Sequence, residues 1–89
     1  MKFHAWDEYQ EYVGIVDMGY IKDEDSGIKN YVADIITPMA NVSRKHISED
    51  MFSYFSDFEV GYGCCYEESE LAFNFHTGNV KIKYFIRIE

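Results

Sequence analysis

The twenty residues from Glu70 to Glu89, ELAFNFHTGNVKIKYFIRIE, constrain the fold more than any other stretch. Two alternating runs flank Gly78-Asn79, a dipeptide suited to a two-residue hairpin loop. With that loop, Phe75 falls opposite Ile82, Phe73 opposite Tyr84 and Leu71 opposite Ile86, so one face of the ribbon is wholly apolar. The other face carries His76, Lys81, Lys83, Phe85 and Arg87. A three-residue loop would mix the two faces, which the two-residue side-chain period penalises. A two-stranded ribbon is marginal alone, so its apolar face predicts a cover.

Two segments upstream have the spacing to supply it. In Ala5 to Tyr20, the residues Trp6, Tyr9, Val13, Val16 and Tyr20 recur at helical intervals, and Asp7 and Glu8 suit a helix N-terminus. The same stretch also alternates through Tyr12, Gly14, Val16, Met18 and Tyr20, as a strand would. After a polar break at residues 22–27, with Asp25 or Ser26 as N-cap, a second helix gathers Ile28, Tyr31, Val32, Ile35 and Ile36 on one face. A strand there would place Asn30 and Asp34 beside Ile28 and Val32. Pro38 stops the helix. The alternative to both helices is a long hairpin over residues 13–36 turning at Asp23–Gly27. Residues 39–46 read as a loop. Ser48 then caps a short helix whose apolar face holds Met51, Phe52, Phe55 and Phe58, and Val60 to Tyr66 suits a further strand. The expected architecture is a single α+β domain over residues 1–89. Two or three amphipathic helices pack on a small antiparallel sheet built on the C-terminal hairpin of residues 70–88.

Composition narrows the function classes. The 89 residues include eight Tyr, seven Phe and one Trp, enough for a core and for an interface, where Tyr is enriched. The formal charge is −8, and residues 1–79 carry 15 acidic and 5 basic side chains, or −10. Such a surface repels phosphate backbones, which disfavours nucleic acid, and attracts basic protein surfaces. No run approaches the ~20 apolar residues of a spanning helix, and no apolar stretch follows Lys2 as in a secretory leader. The expectation is a cytoplasmic protein with no membrane partner.

No catalytic or cofactor signature stands out. Cys64-Cys65 are adjacent, a spacing that suits neither a disulfide framework nor a zinc site. Glu67, Glu68 and Glu70 nearby oppose thiolate formation. Asp23-Glu24-Asp25-Ser26-Gly27 begins like a calcium loop but lacks the glutamate that closes one, Asp34 standing in its place. A solvated turn explains it as well. The basic stripe of Lys81, Lys83, Phe85 and Arg87 suits either a nucleic-acid contact or lysines guarding a terminal strand edge. The strand Val80–Glu89, open on its far side, would accept a partner strand or a second copy as a homodimer.

The opening Lys2-Phe3-His4-Ala5-Trp6-Asp7-Glu8 resembles the start of the YopX family of small phage proteins, which commonly begin K-F-R-A-W-D; His4 stands where the family usually has Arg. The resemblance covers seven residues and implies a phage origin, with an extended N-terminus at odds with the first predicted helix. It carries over no site residue.

These features converge on a non-enzymatic, cofactor-free acidic binding protein. Its expected role is a phage-encoded inhibitor that mimics the DNA backbone and blocks a host nucleic-acid-handling or defence enzyme. The expected contact residues are Asp23, Glu24, Asp25, Glu67, Glu68 and Glu70, then Asp7, Glu8 and Glu11. The alternatives are a nucleic-acid-binding module on the basic hairpin face, and a small enzyme or thiol switch at Cys64-Cys65.

Overall fold

Antiparallel pairing organises this chain. The computed structural model describes residues 1–57, 64–65, 71–75 and 78–88, with the backbone alone at 64–65. In chain order the elements are β1 (Lys2–Asp7), β2 (Tyr12–Lys22), β3 (Lys29–Ile36), β4 (Val42–His46), α1 (Glu49–Ser56), β5 (Cys64–Cys65), β6 (Leu71–Phe75) and β7 (Gly78–Ile88). The strands form one sheet in the order β4-β3-β2-β1-β7, and both β5 and β6 pair with the far side of β7. The sheet curls until its first and last strands meet, where the Ser43 hydroxyl donates to the Asn74 carbonyl at 3.3 Å. The result is a nearly closed antiparallel barrel.

Alternate residues of each strand fill its interior. Phe3 and Ala5 of β1, Val16 and Met18 of β2, and Ala33 and Ile35 of β3 are fully buried, with Leu71, Phe73, Ile82 and Phe85 from the C-terminal strands. Ring packing closes one end, where α1 lies across the opening. Phe55 meets Phe85 at 4.8 Å and Phe3 at 5.4 Å between centroids, edge to face, and Phe52 stacks against Tyr31 at 4.7 Å. Each such pair contributes roughly 0.5–1.5 kcal/mol beyond simple burial. The Ser48 hydroxyl caps the helix by accepting from the Met51 N–H at 3.2 Å, as the sequence predicts.

The α+β expectation of two or three helices on a small sheet is overturned: among the described residues there are seven strands and one helix. Residues 13–36 form the hairpin alternative instead, with Val16 opposite Ile35 and Lys22 opposite Lys29, while residues 5–7 belong to β1. Their helical spacing arises because both faces of these strands are partly apolar: Ile15 and Ile36 pair on the outside while Val16 and Ile35 pair within. The mismatch of Asp34 on a strand face is resolved by Arg44 on β4, whose guanidinium donates to both carboxylate oxygens at 2.7 and 2.9 Å. The loop expected at 39–46 contains β4. Its inward positions are Ser43 and Lys45, so no apolar alternation marks it.

The C-terminal hairpin exists in a different register. Phe75 pairs with Gly78, Phe73 with Val80 and Leu71 with Ile82, so Gly78 and Asn79 are strand residues. The offset of four is even, so Leu71, Phe73 and Ile82 keep their predicted inward face. A register shift between Trp6 and Asp7, opposite Tyr84 and Ile82, then reverses the alternation of β7. Phe85 becomes the core residue, and Tyr84 and Ile86 turn outward beside Trp6 and His4. Nor is β7 an edge: β1 flanks one side and β5 and β6 the other, which removes the expected open edge at Val80–Glu89. Phe58, the residues around Cys64-Cys65 in the strand expected at 60–66, and His76 lie outside the described side chains; β5 itself falls within that expected strand.

Candidate functional site

Strand length sets the first candidate. β2 and β3 outrun both neighbours: β1 pairing ends at Lys2 opposite Asp17, and β4 pairing ends at His46 opposite Val32. At the first boundary the Met18 N–H donates to the Met1 carbonyl and the Met1 ammonium to the Met18 carbonyl, both at 2.8 Å, and at the second the Ile47 N–H donates to the Tyr31 carbonyl at 3.0 Å. Residues 20–30 therefore project as a two-stranded arm. On it Tyr20, Ile21 and Ile28 are 50, 46 and 62 % exposed, an unusual density of apolar surface for so short a ribbon.

The arm's tip is a rigid turn. The Asp23 N–H donates to the Ile28 carbonyl at 2.9 Å and the Gly27 N–H to the Asp23 carbonyl at 2.8 Å. The Asp23 carboxylate accepts from the Asp25 N–H at 3.0 Å. That bond, with one from Ser26, holds the Asp23 carboxyl below the usual carboxylate range. Asp23 is thus a turn-forming group, leaving Glu24 and Asp25 as the outward carboxylates. Lys22 and Lys29 pair at the base of the loop, and the Lys29 ammonium sits 4.5 Å from the Tyr20 ring centroid. Residues 20–31 carry three acids and two lysines, or −1, so the negative charge is concentrated at the tip.

The other predicted acids are not gathered there. Asp7 organises the β1–β2 turn, accepting on one oxygen from the Tyr9 N–H at 2.9 Å and the Glu11 N–H at 3.0 Å. Glu8 and Glu11 are exposed on that turn. The two turns sit at opposite ends of β2, whose 11 residues place them roughly 33 Å apart at about 3.3 Å per residue. Glu67, Glu68 and Glu70 lie outside the described residues. The described acids of the set therefore form two separate turns, one at Asp7–Glu11 and one at Asp23–Asp25.

The basic–aromatic stripe dissolves as well. Phe85 is fully buried and cannot stack on a base, and an Arg87 guanidinium nitrogen donates to the Ser56 carbonyl at 3.4 Å, over the end of α1. Among the described residues, no three His, Cys, Asp or Glu side chains converge as metal ligands. No helix among them is long and apolar enough to cross a membrane.

A second feature opens at the end of the barrel away from α1. A cleft of about 740 Å³ is lined by Val13, Thr37, Asn41, Val42, Ser43, Asn74, Phe75 and Val80. Its size is that of a ligand pocket. Sequence reading missed both this cleft and the apolar residues of the arm. The available signal was the alternation through Tyr12 to Tyr20, which extends to Lys22 and puts Ile21 and Ile28 on a projecting hairpin. No protein-family model matches this chain, and neither a curated protein nor a solved structure matches it.

Proposed function

We propose that this protein is a small, non-enzymatic, acidic binding module that docks its β2–β3 arm onto a basic surface of a partner protein. Glu24 and Asp25 supply the charge that steers the encounter, and Ile21, Ile28 and Tyr20 supply the desolvated contact. The fitting partner class is a nucleic-acid-handling or defence enzyme whose basic groove the arm occupies. The chain then acts as a phage-encoded inhibitor in the cytoplasm of the host cell, in keeping with the YopX-like opening. The observation that carries this reading is the projection of residues 20–30 beyond both flanking strands, with exposed apolar residues around an acidic tip.

The test uses the whole chain as bait in a bacterial lysate, beside an Ile21→Ser/Ile28→Ser variant and a Glu24→Lys/Asp25→Lys variant. The reading expects a captured protein that both variants lose, and whose affinity falls at least about tenfold from roughly 50 to 500 mM salt as screening strengthens. The captured protein should also release its nucleic acid when the arm binds. Capture that survives both variants and high salt would end the proposal.

A further inference from the structure

The outer face of the arm is its own complement. Val16 and Met18 of β2 and Ala33 and Ile35 of β3 point into the barrel, so alternation turns Gly19, Ile21, Asn30 and Val32 outward. Gly19 pairs with Val32 and Ile21 with Asn30. The Asp23 N–H carries the ladder one pair further, to the Ile28 carbonyl at 2.9 Å, which sets Ile28 on the same face. Ile28 therefore stands two ladder positions beyond the Ile21 pair, and Val32 stands two before it, roughly 7 Å each way at about 3.4 Å per residue. The first position is a knob, since Ile28 is 62 % exposed. The second is a hollow. Val32 is only 5 % exposed although it faces out, and a Cβ added to Gly19 beside it would meet nothing within 4 Å.

We propose that two copies of this chain pair through these faces, with their arms antiparallel about a twofold axis that crosses them at Ile21 and Asn30. That axis sets Ile28 of each copy over Val32 of the other, beside the open space at Gly19, with Ile21 against Ile21 and Asn30 against Asn30. An isologous contact needs a surface that complements itself, and knob and hollow at equal distances from Ile21 meet that need. The Asn30 amide holds both donors and an acceptor, so two facing amides satisfy each other. Charge points to the same occupant. Lys22 and Lys29 alternate to the opposite face, and Glu24 and Asp25 sit at the tip. Asp23 is the one acid on this face between residues 19 and 32, and its carboxylate is drawn into the loop by the Asp25 N–H. Two chains of charge −8 can meet on such a face, because at ~0.15 M salt charges beyond about 8 Å are screened. Two strands over six or so residues offer a face of roughly 20 by 10 Å. That is well under the ~800 Å² per partner of a standard interface, so the dimer is a weak one, with a dissociation constant between about 10 and 500 µM. Pairing covers the same Ile21 and Ile28 that the arm offers a partner protein, so the two exclude each other, but the pairing stands without that reading.

Sedimentation equilibrium of the intact chain from about 5 µM to 1 mM, a range that brackets such a constant, tests it. The mean mass should climb from monomer toward dimer. Ile28→Ser removes the knob and should weaken the dimer at least about tenfold. Gly19→Glu fills the hollow and sets a second acid against Asp23 of the other copy, so that variant should stay monomeric throughout. Its thermal midpoint in dilute solution should not fall, because the added Cβ enters open space and glycine disfavours a strand interior. In a mixture of isotope-labelled and unlabelled wild-type chain, intermolecular NOEs should join the Ile28 and Val32 methyls. Three results would overturn the proposal: a monomer mass up to 1 mM, a dimer of undiminished affinity in both variants, or intermolecular contacts at other residues. Lysate capture reads out separately. A monomeric chain that still captures a protein through Ile21 and Ile28 refutes the dimer alone, and a dimer that captures none refutes the partner reading alone.

Discussion

The two ends of this barrel are built from the same strands and behave oppositely. At one end, Phe3, Phe55 and Phe85 interlock beneath α1 and leave nothing of their rings to solvent. At the other, the strands end around Phe75, Val80, Val42 and Val13 with no helix over them among the described residues, and a cleft of about 740 Å³ is found there. The difference comes from one local element. α1 follows β4 directly, and its Ser48 cap starts it where β4 ends, which sets the helix at that end. The closed end therefore carries the interlocked rings of the core, and the cleft lies at the other end.

That contrast can be broken by mutation, beginning where the effect should be greatest. Phe55→Ala removes the ring on which the plug depends and should cost about 3–5 kcal/mol, read as a lowered urea midpoint. Phe75→Ala at the open end should cost less than half as much. Equal losses would show that the cleft is as tightly packed as the plugged end.

Gly14→Ala is next. Gly14 has φ +148°, and a Cβ there would lie 2.2 Å from the Ile36 carbonyl oxygen and 3.0 Å from the Thr37 Cα. Strain and backbone overlap together should cost about 2–3 kcal/mol, and the loss should appear in thermal melting as well as in denaturant. Because β3 must move away at Ile36 and Thr37, the amide shifts should concentrate near the cleft. A change confined to the α1 end would contradict this placement.

Ser48→Ala removes the cap that positions the plug and should cost about 1 kcal/mol; Ser48→Asp should restore most of it. The smallest effect is expected at the β3–β4 junction. The hydrogen bond from Arg44 holds the Asp34 carboxyl below its ordinary range, against a smaller upward push from partial burial. A carboxyl depressed on folding adds stability above its unfolded value, near 4, and that stability is lost as pH falls through the folded value. Asp34→Asn should therefore cost about 0.5 kcal/mol at neutral pH, in line with a solvent-screened pair. The difference from wild type should vanish in acid. A gap that persists at low pH would mean that Asp34 acts through packing.

Parts of this architecture are legible in the sequence for definite reasons. Ser48 followed by Glu49, Asp50 and the spacing of Met51, Phe52 and Phe55 specifies α1, because capping and amphipathic period act within a single helix. The polar run Asp23–Gly27 specifies a turn, because Asp23 bonds its own neighbours. The function is less legible for the same kind of reason. Asp7 and Asp23 read from the sequence only as surface acids, and the structure adds that their carboxylates accept the bonds that close two turns. Phe85 reads as an exposed stacking residue until the reversal in β7 sends it inward.

The sequence by itself determined the local events: where the chain turns, where the one described helix begins, and that the last strands alternate. Only the tertiary structure decided which strands pair, in which register, and which face of each is inside. The pairing of β1 with β7 joins strands from opposite ends of the sequence, and outward residues such as Ile15, Ile36 and Ile86 are partly covered by neighbours on adjacent strands, so hydropathy no longer marks the face. The C-terminal hairpin shows both halves of this. Its alternation was in the sequence, but β1, lying alongside it from the opposite terminus, set the bulge that made Phe85 core and β7 the strand between both ends of the chain.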